Sequence, residues 1–432
     1  MNEIQEKFLE ALRVSLKNGT VWWEKPLQPG QWRELFGLAE THHVLPLIYE
    51  AVYRSPAAGQ ADPRLMMDYK WKTVQLTSLQ ALKTESFLCL MESLNRQGVY
   101  PVTVKGIICR NLYPKPDCRI SGDEDILIPK EQFHKCHQVL TESGLKVADE
   151  NQDTEKEYEV SYTARKGTLY IELHKSLFPP ESNVYGDFNR FFEQADEHCV
   201  EIETEGRKVR TLGHTDHFFY LICHAFKHFL HSGFGIRQVC DIILYASRYG
   251  SEIDWNRVLK QCREIHGEYF TAALFQIGEK YLDFHADSAG IPKEWQAMKV
   301  DETMMLEDLL SAGIYGYGSK SRMHSSNITL NTAADQWHGR HSSNILKALF
   351  PSAGEMEKKC SYLRKHKWLL PAAWITRICR YCRETITRSD QTATEALQIG
   401  KHRVKLMKNL QDHKMIIFLP EIAFENEVNN NH

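Results

Sequence analysis

Asp123 and Asp125 stand two residues apart in Arg119-Ile120-Ser121-Gly122-Asp123-Glu124-Asp125-Ile126-Leu127-Ile128, and the second leads into an aliphatic run with the character of a buried strand. Side chains at i and i+2 of a strand share a face, so the two carboxylates are expected to project together. Paired oxygens on a rigid strand suit Mg²⁺ or Mn²⁺, which take hard oxygen ligands and leave positions to water and phosphate. Alone, the pattern also describes an ordinary solvated turn. Two further features raise it. Val104-Lys105-Gly106 closes a short β-rich run ahead of the helical-looking Ile107–Leu112, and a glycine there lets backbone N–H groups and a helix start approach a phosphate. Downstream, Thr168–His174 alternates, with Leu169, Ile171 and Leu173 on one face and Tyr170, Glu172 and His174 on the other. Set beside the Asp-x-Asp strand, Glu172 becomes a third carboxylate, and three would hold one or two divalent ions.

A second group of chemistry-bearing residues lies in a helical stretch. His217, His224, His228 and His231 share one helix face. His224 and His228 have the i, i+4 spacing of a zinc protease, but Ala225 stands where such a site needs glutamate. Buried, hydrogen-bonded histidines at an interface are the better reading, with His228, Arg237 and Asp241 able to face the cleft from the helical side. Cys379 and Cys382 have metal-like spacing without a second pair, so they read as helix cysteines.

Four segments would position these groups. Residues 1–95 carry helical spacing, as in Ile4, Phe8, Leu12 and Leu16, and in Leu76, Leu79, Leu82, Leu90 and Leu94 of a long amphipathic stretch. This segment offers no site chemistry and is expected to pack, its Trp and Tyr included. Residues 96–213 read as an α+β domain with two hairpins, one around Arg165-Lys166-Gly167 and one around Glu205-Gly206. Residues 214–312 are helical, with Asp254 as an N-cap. A Gly/Ser-rich linker, Gly313–Ser326, precedes a last helical segment, 327–432, whose Lys/Arg runs are expected to be solvated.

The bulk numbers fit that division. At 432 residues the chain exceeds one small core, and 42% hydrophobic with 25% charged residues is ordinary globular composition. A formal net charge of −3 argues against nucleic acid as the main partner. Neither a secretory signal nor an apolar run of membrane-spanning length is visible. Eleven cysteines without a framework suit a reducing cytoplasm.

The order of glycine turn, helix, Asp-x-Asp strand and later strand acid resembles the polymerase-β type of nucleotidyltransferase. More closely, it resembles the bacterial nucleotidyltransferase family 5. The likeness runs through Val104-Lys105-Gly106, Tyr113-Pro114, Arg119–Ile128 and Ile171–His174, then His224-x-x-x-His228, Arg237-Gln238-x-x-Asp241, Leu349–Pro351 and Leu369–Trp374. It implies a small mixed-sheet domain inserted between helical segments. It also implies transfer of a nucleoside monophosphate from an NTP, ATP first, to the hydroxyl of a small molecule or protein. Asp123, Asp125 and Glu172 become the Mg²⁺ or Mn²⁺ acids, Gly106 the phosphate turn, and Lys105, Arg119 and Ser121 further phosphate contacts. The superfamily's Gly-Ser turn is here Gly106-Ile107, and Glu124 replaces an apolar residue. These departures leave open a nucleotide-binding or partner-binding module without catalysis.

Overall fold

The structure, a computed structural model, describes residues 1–182, 184–231, 233–312 and 366–376, together with 403, 405 and 406. The N-terminal segment is helical: α1 (Glu3–Ser15), α2 (Pro29–Thr41), α3 (Leu45–Val52), the single turn α4 (Pro56–Gly59) and the long α5 (Pro63–Arg96). Asn2 accepts the Gln5 N–H at 2.8 Å while the Gln5 side chain accepts the Asn2 N–H at 2.9 Å, a reciprocal cap that satisfies two donors at the start of α1. Pro56 follows the Ser55 cap, so a stretch rich in breakers still holds one helical turn.

Strands β1 (Val102–Val104), β2 (Glu124–Leu127), β3 (Leu145–Val147), β4 (Glu159–Ala164), β5 (Tyr170–His174), β6 (Val200–Thr204) and β7 (Arg207–Thr211) form one mixed sheet. Its seven strands run in the order β3-β4-β5-β2-β1-β7-β6, with α6 (Gly106–Arg110) and α7 (Phe133–Glu142) between strands in sequence. The two expected hairpins are β4–β5 and β6–β7, both antiparallel. The short β3 had no sequence counterpart and extends the sheet beyond β4. At the centre, β5 pairs parallel with β2 and sets Glu172 opposite Asp125, while β1 pairs antiparallel on the other side.

The helical half comprises α8 (His214–His231), α9 (Ile236–Tyr249), α10 (Trp255–Glu264), α11 (Glu268–Leu282), α12 (Lys293–Gln296) and α13 (Glu302–Ala312). Asp254 caps α10 as expected, accepting the Arg257 N–H at 3.0 Å. α1 packs on α2, α3 and α11, so the N-terminal helices and the second helical group are in direct contact. A continuous apolar cluster joins Phe8, Trp32 and Phe36 to Ile126 and Leu173 of the sheet and to Phe218 and Trp295 of the helices.

Two expectations need correction. On α5, Leu90 and Leu94 are buried, but Leu82 is 64% exposed and Leu79 lies at the surface. The buried face instead includes Thr73, Gln80, Lys83 and Thr84, because α5 runs past polar backbone at the start of β2. Trp22 and Trp71 are exposed, not packed. The linker Gly313–Ser326, Cys379 and Cys382, and most of the final helical segment lie outside the described residues. Among those described, no helix is long and apolar enough to cross a membrane.

One buried ion pair ties α6 to β2. Arg110 Nη2 donates to Glu124 Oε1 at 2.7 Å and Arg110 Nη1 to Ser121 Oγ at 2.8 Å, with both charged side chains shut from solvent. Removing one partner leaves an uncompensated buried charge. Arg110→Ala is therefore expected to lower stability by about 3 kcal/mol or more, and Ser121→Ala by about 1 kcal/mol. Urea unfolding checks both, and equal losses in the two variants would contradict the ranking.

Candidate active site

The approach to β2 is a polar loop whose backbone groups are bound from two helices. Lys83 of α5 donates to the carbonyls of Ser121 at 2.6 Å and Gly122 at 2.8 Å. Gln80, one turn earlier, accepts the Ser121 N–H at 2.9 Å. Arg237 of α9 donates to the carbonyl of Ile120. Arg119 forms a two-pronged pair with Asp241, Nε to Oδ1 at 2.8 Å and Nη2 to Oδ2 at 2.6 Å, and Asp241 also accepts the Tyr113 hydroxyl at 2.8 Å. The loop thus has little freedom when it enters the strand.

Strand alternation then sorts the three acids. Glu124 turns into the protein, where its Oε2 accepts the Ile107 N–H at 2.8 Å. Asp123 and Asp125 turn the other way, into a cavity of about 260 Å³. Asp123 immediately precedes β2 and is half-buried, whereas Asp125 is buried. Glu172, opposite Asp125 on β5, lines the same cavity, as do Glu159 and His174.

Asp125 is the hub. Its Oδ1 receives Lys105 Nζ at 2.9 Å and His174 Nε2 at 3.1 Å. Its Oδ2 is buried and has no hydrogen-bond partner among the described residues. Burial works to raise the Asp125 carboxyl pKa, but the Lys105 ammonium and the His174 hydrogen bond prevail and hold it below the usual carboxylate range. Glu172 goes the opposite way. Burial, then the neighbouring charges of Asp125 and Asp123, push it up to about 9. Two carboxyls of one site are thereby held in opposite protonation states, as happens when like charges share a poorly hydrated space.

The facing wall comes from α8. Tyr220, His224, Lys227 and His228 all line the cavity. Lys105 Nζ lies 3.1 Å from His224 Nε2, and His228 Nε2 lies 3.2 Å from the same atom. Burial first, then the cations Lys105 and Lys227, hold both imidazoles well below the ordinary histidine pKa, so both are neutral. Burial would lower the Lys105 pKa, but the charge of Asp125, followed by Tyr220 and Asp123, raises it. Lys105 itself adopts φ +54°, a region uncommon for a residue with a Cβ. Its N–H is received by His217 Nε2 at 3.3 Å, and His217 Nδ1 lies 3.1 Å from Thr211 Oγ1.

Of the residues singled out in the sequence, Asp123, Asp125 and Glu172; Lys105, Gly106, Arg119 and Ser121; and His174, His224, His228, Arg237 and Asp241 line this one cavity, whereas His217 and His231 do not. Their hydrogen-bonding capacity divides them. Arg119 and Asp241 are engaged with each other, and Ser121 with Arg110, so these three act as fasteners of the wall. Lys83, Gln80, Glu159, Tyr220 and Lys227 escaped the sequence reading, and α5, expected only to pack, supplies two of them. A signal existed for two others. Tyr220, His224, Lys227, His228 and His231 recur at i, i+4, i+7, i+8 and i+11, one polar stripe on an otherwise apolar helix.

Ligand atoms of Asp125, Glu172 and His174 lie within 4.8 Å of one another. Asp125 also keeps a buried Oδ2 with no hydrogen-bond partner among the described residues, and the donor set fits a divalent ion. Two carboxylates suit Mg²⁺, and the imidazole favours Mn²⁺. Asp123 stands beside this group on the cavity wall.

Residues 28–283 match the profile of a family described as uncharacterised nucleotidyltransferase, more than half of the chain. The matched stretch takes in β1 through α11 and ends before Leu349–Pro351 and Leu369–Trp374. No curated protein and no solved structure matches the chain significantly.

Glu172 carries a proton at neutral pH, and an ion bound to it must displace that proton. Mn²⁺ affinity is therefore expected to climb about tenfold per pH unit up to about 9 and then level. Calorimetry in buffers of different ionisation enthalpy should count one proton released per ion. Glu172→Gln should bind more weakly and lose the slope, and a slope unchanged in that variant would contradict the assignment.

Proposed function

The chain belongs to the uncharacterised nucleotidyltransferase family, and on that premise we propose that it moves a nucleoside monophosphate from a nucleoside triphosphate to an acceptor hydroxyl. The observation that carries this reading is the register that sets Asp125 beside Glu172, with Asp123 on the same cavity wall. Asp123, Asp125 and Glu172 hold Mg²⁺ or Mn²⁺, and His174 orients Asp125 through its hydrogen bond. A divalent ion supplies charge neutralisation at phosphate and makes a nearby hydroxyl easier to deprotonate. The acceptor oxygen bonds to the α-phosphorus while the bond from that phosphorus to the bridging oxygen breaks. Pyrophosphate leaves with the bonding electrons, and the acceptor proton passes to Glu172, which is a free carboxylate once a bound ion has displaced its own proton. ATP is the first nucleotide to try. The acceptor is a small molecule or a protein, since the net charge of −3 speaks against a nucleic acid.

A second reading, nucleotide binding without turnover, is favoured by one feature: a carboxylate, Glu124, already sits at the start of α6. One experiment separates the two. Labelled NTPs are incubated with Mg²⁺ or Mn²⁺, alone and with hydroxylated small molecules or a protein lysate. Label transfer is expected, and Asp125→Asn should cut it by about a hundredfold or more. Transfer that survives Asp125→Asn defeats the enzyme reading, and metal-dependent NTP binding without any transfer supports the second.

A further inference from the structure

The glycine turn, where a phosphate would be expected, already has an anion. Glu124 Oε2 accepts the Ile107 N–H at 2.8 Å. Gly106 has φ +34°, and a Cβ built on it would collide with that same oxygen. The turn and the carboxylate are therefore in direct contact, with no space between them. A phosphate placed there would displace a carboxylate that also neutralises buried Arg110, or would lie against its charge.

Positive and donating groups are instead gathered on the opposite wall. His224, Lys227 and His228 stand at i, i+3 and i+4 of α8 and line the cavity. The Lys227 ammonium has no hydrogen bond or ion pair among the described residues, and the Phe178 ring lies 6.0 Å away. A half-buried ammonium with no anion in contact is costly, since Glu159, Asp125 and Glu172 act on it only from beyond ion-pair distance, and an anionic ligand in contact lowers that cost. Lys105 bridges the walls, 2.9 Å from Asp125 Oδ1 and 3.1 Å from His224 Nε2. Lysine is a donor only, so His224 Nε2 accepts, and the Nε2 of His228 that faces it carries an N–H. That imidazole N–H can turn to a phosphate oxygen.

We propose that the triphosphate tail of the nucleotide is received by this helical wall, by Lys227 and the His224–His228 pair with Lys105 between the walls, and not by the glycine turn. The inference deepens the nucleotidyl-transfer reading and rests on it for the identity of the ligand. The carboxylate wall and the cationic wall then grip one polyphosphate from two sides. Lys227 supplies charge, and His228 supplies a directed donor without adding charge, while His224 holds the Lys105 ammonium and the His228 ring in place. Glu124 belongs to the scaffold, which accounts for a charged residue between the two cavity aspartates.

The test measures binding of inorganic tripolyphosphate, ATP and adenosine to the full chain by calorimetry in Mg²⁺. Wild type is compared with Lys227→Gln and His228→Gln, each checked for an unchanged melting temperature. Both variants are expected to lose about tenfold or more in affinity for tripolyphosphate and for ATP, with adenosine binding unchanged. ATP should displace tripolyphosphate from wild type. Three results would overturn the inference: no tripolyphosphate binding by wild type, affinities in both variants within twofold of wild type, or tripolyphosphate that ATP fails to displace. The last would give the subsite to a phosphorylated acceptor. The outcome is separable from that of the transfer reaction. The expected losses with no label transfer keep the subsite and remove the activity, and label transfer at wild-type rates and ATP affinity in both variants does the reverse.

Discussion

Everything at this site depends on where Glu124 points. Its carboxylate is enclosed by Arg110, the Ile107 N–H and the Ser121 hydroxyl. Those contacts fix the face that β2 turns inward. Because a strand alternates with period two, the same contacts decide that Asp123 and Asp125 look outward together. A slip of one residue would put Glu124 in the cavity and drive two aspartates into the sheet's packed side. It would also pull the acid away from α6, leaving Arg110 buried with no counter-charge. Gly106 follows from the same constraint, since the helix must begin against Glu124 and no side chain fits between them.

The outward face inherits a different problem, too many carboxylates in too little water. Asp125, Glu172, Glu159 and Asp123 share one cavity. The protein relieves the crowding with one ammonium, from Lys105, and with a proton retained on Glu172. Lys105 reaches Asp125 from a backbone conformation that side chains disfavour, held by the hydrogen bond to His217. His217 is in turn a buried neutral imidazole, pushed down to about 3 first by burial and then by His214. Strain in the backbone at Lys105 is thus supported from α8 and β7, outside the cavity.

Much of this could be read in the sequence because it is local. The period-two pattern of Leu169–His174 told which side chains share a face, and the hairpin turns told which strands pair. The stretch read as helical from 214 to 312 holds α8 through α13, with Asp254 at the cap where it was expected. The adjacency of β2 and β5 was only a condition in the sequence, since a parallel pair needs a crossover and no short-range signal specifies it. Lys83 was hidden for another reason. It lies among apolar residues on a helix that reads as amphipathic, and its partners are backbone carbonyls, which leave no mark on residue types. Arg119 read as a phosphate contact, yet its bidentate partner Asp241 lies 122 residues away. Charge alone does not distinguish a ligand contact from a fastener. Glu124 looked like a departure from pattern, and only the contact with Ile107 and Arg110 shows what it does.

The cavity therefore has a local half and a remote half, and the second is joined to the first by charge. β2 and β5 bring the acids, and α8 and α9 bring the opposing histidines and cations. Between them run Arg119–Asp241, Tyr113–Asp241 and the Arg237 contact to Ile120, all buried or nearly so. Apolar packing would hold two such bodies together but would tolerate sliding, because dispersion has little directionality. A two-pronged guanidinium–carboxylate pair does not tolerate it, since both N–H···O bonds fail once the planes shift. Burying these charges costs solvation, so they are poor choices for stability alone. Their directionality suits a cavity whose opposing walls must keep a fixed separation, whatever is finally held between them.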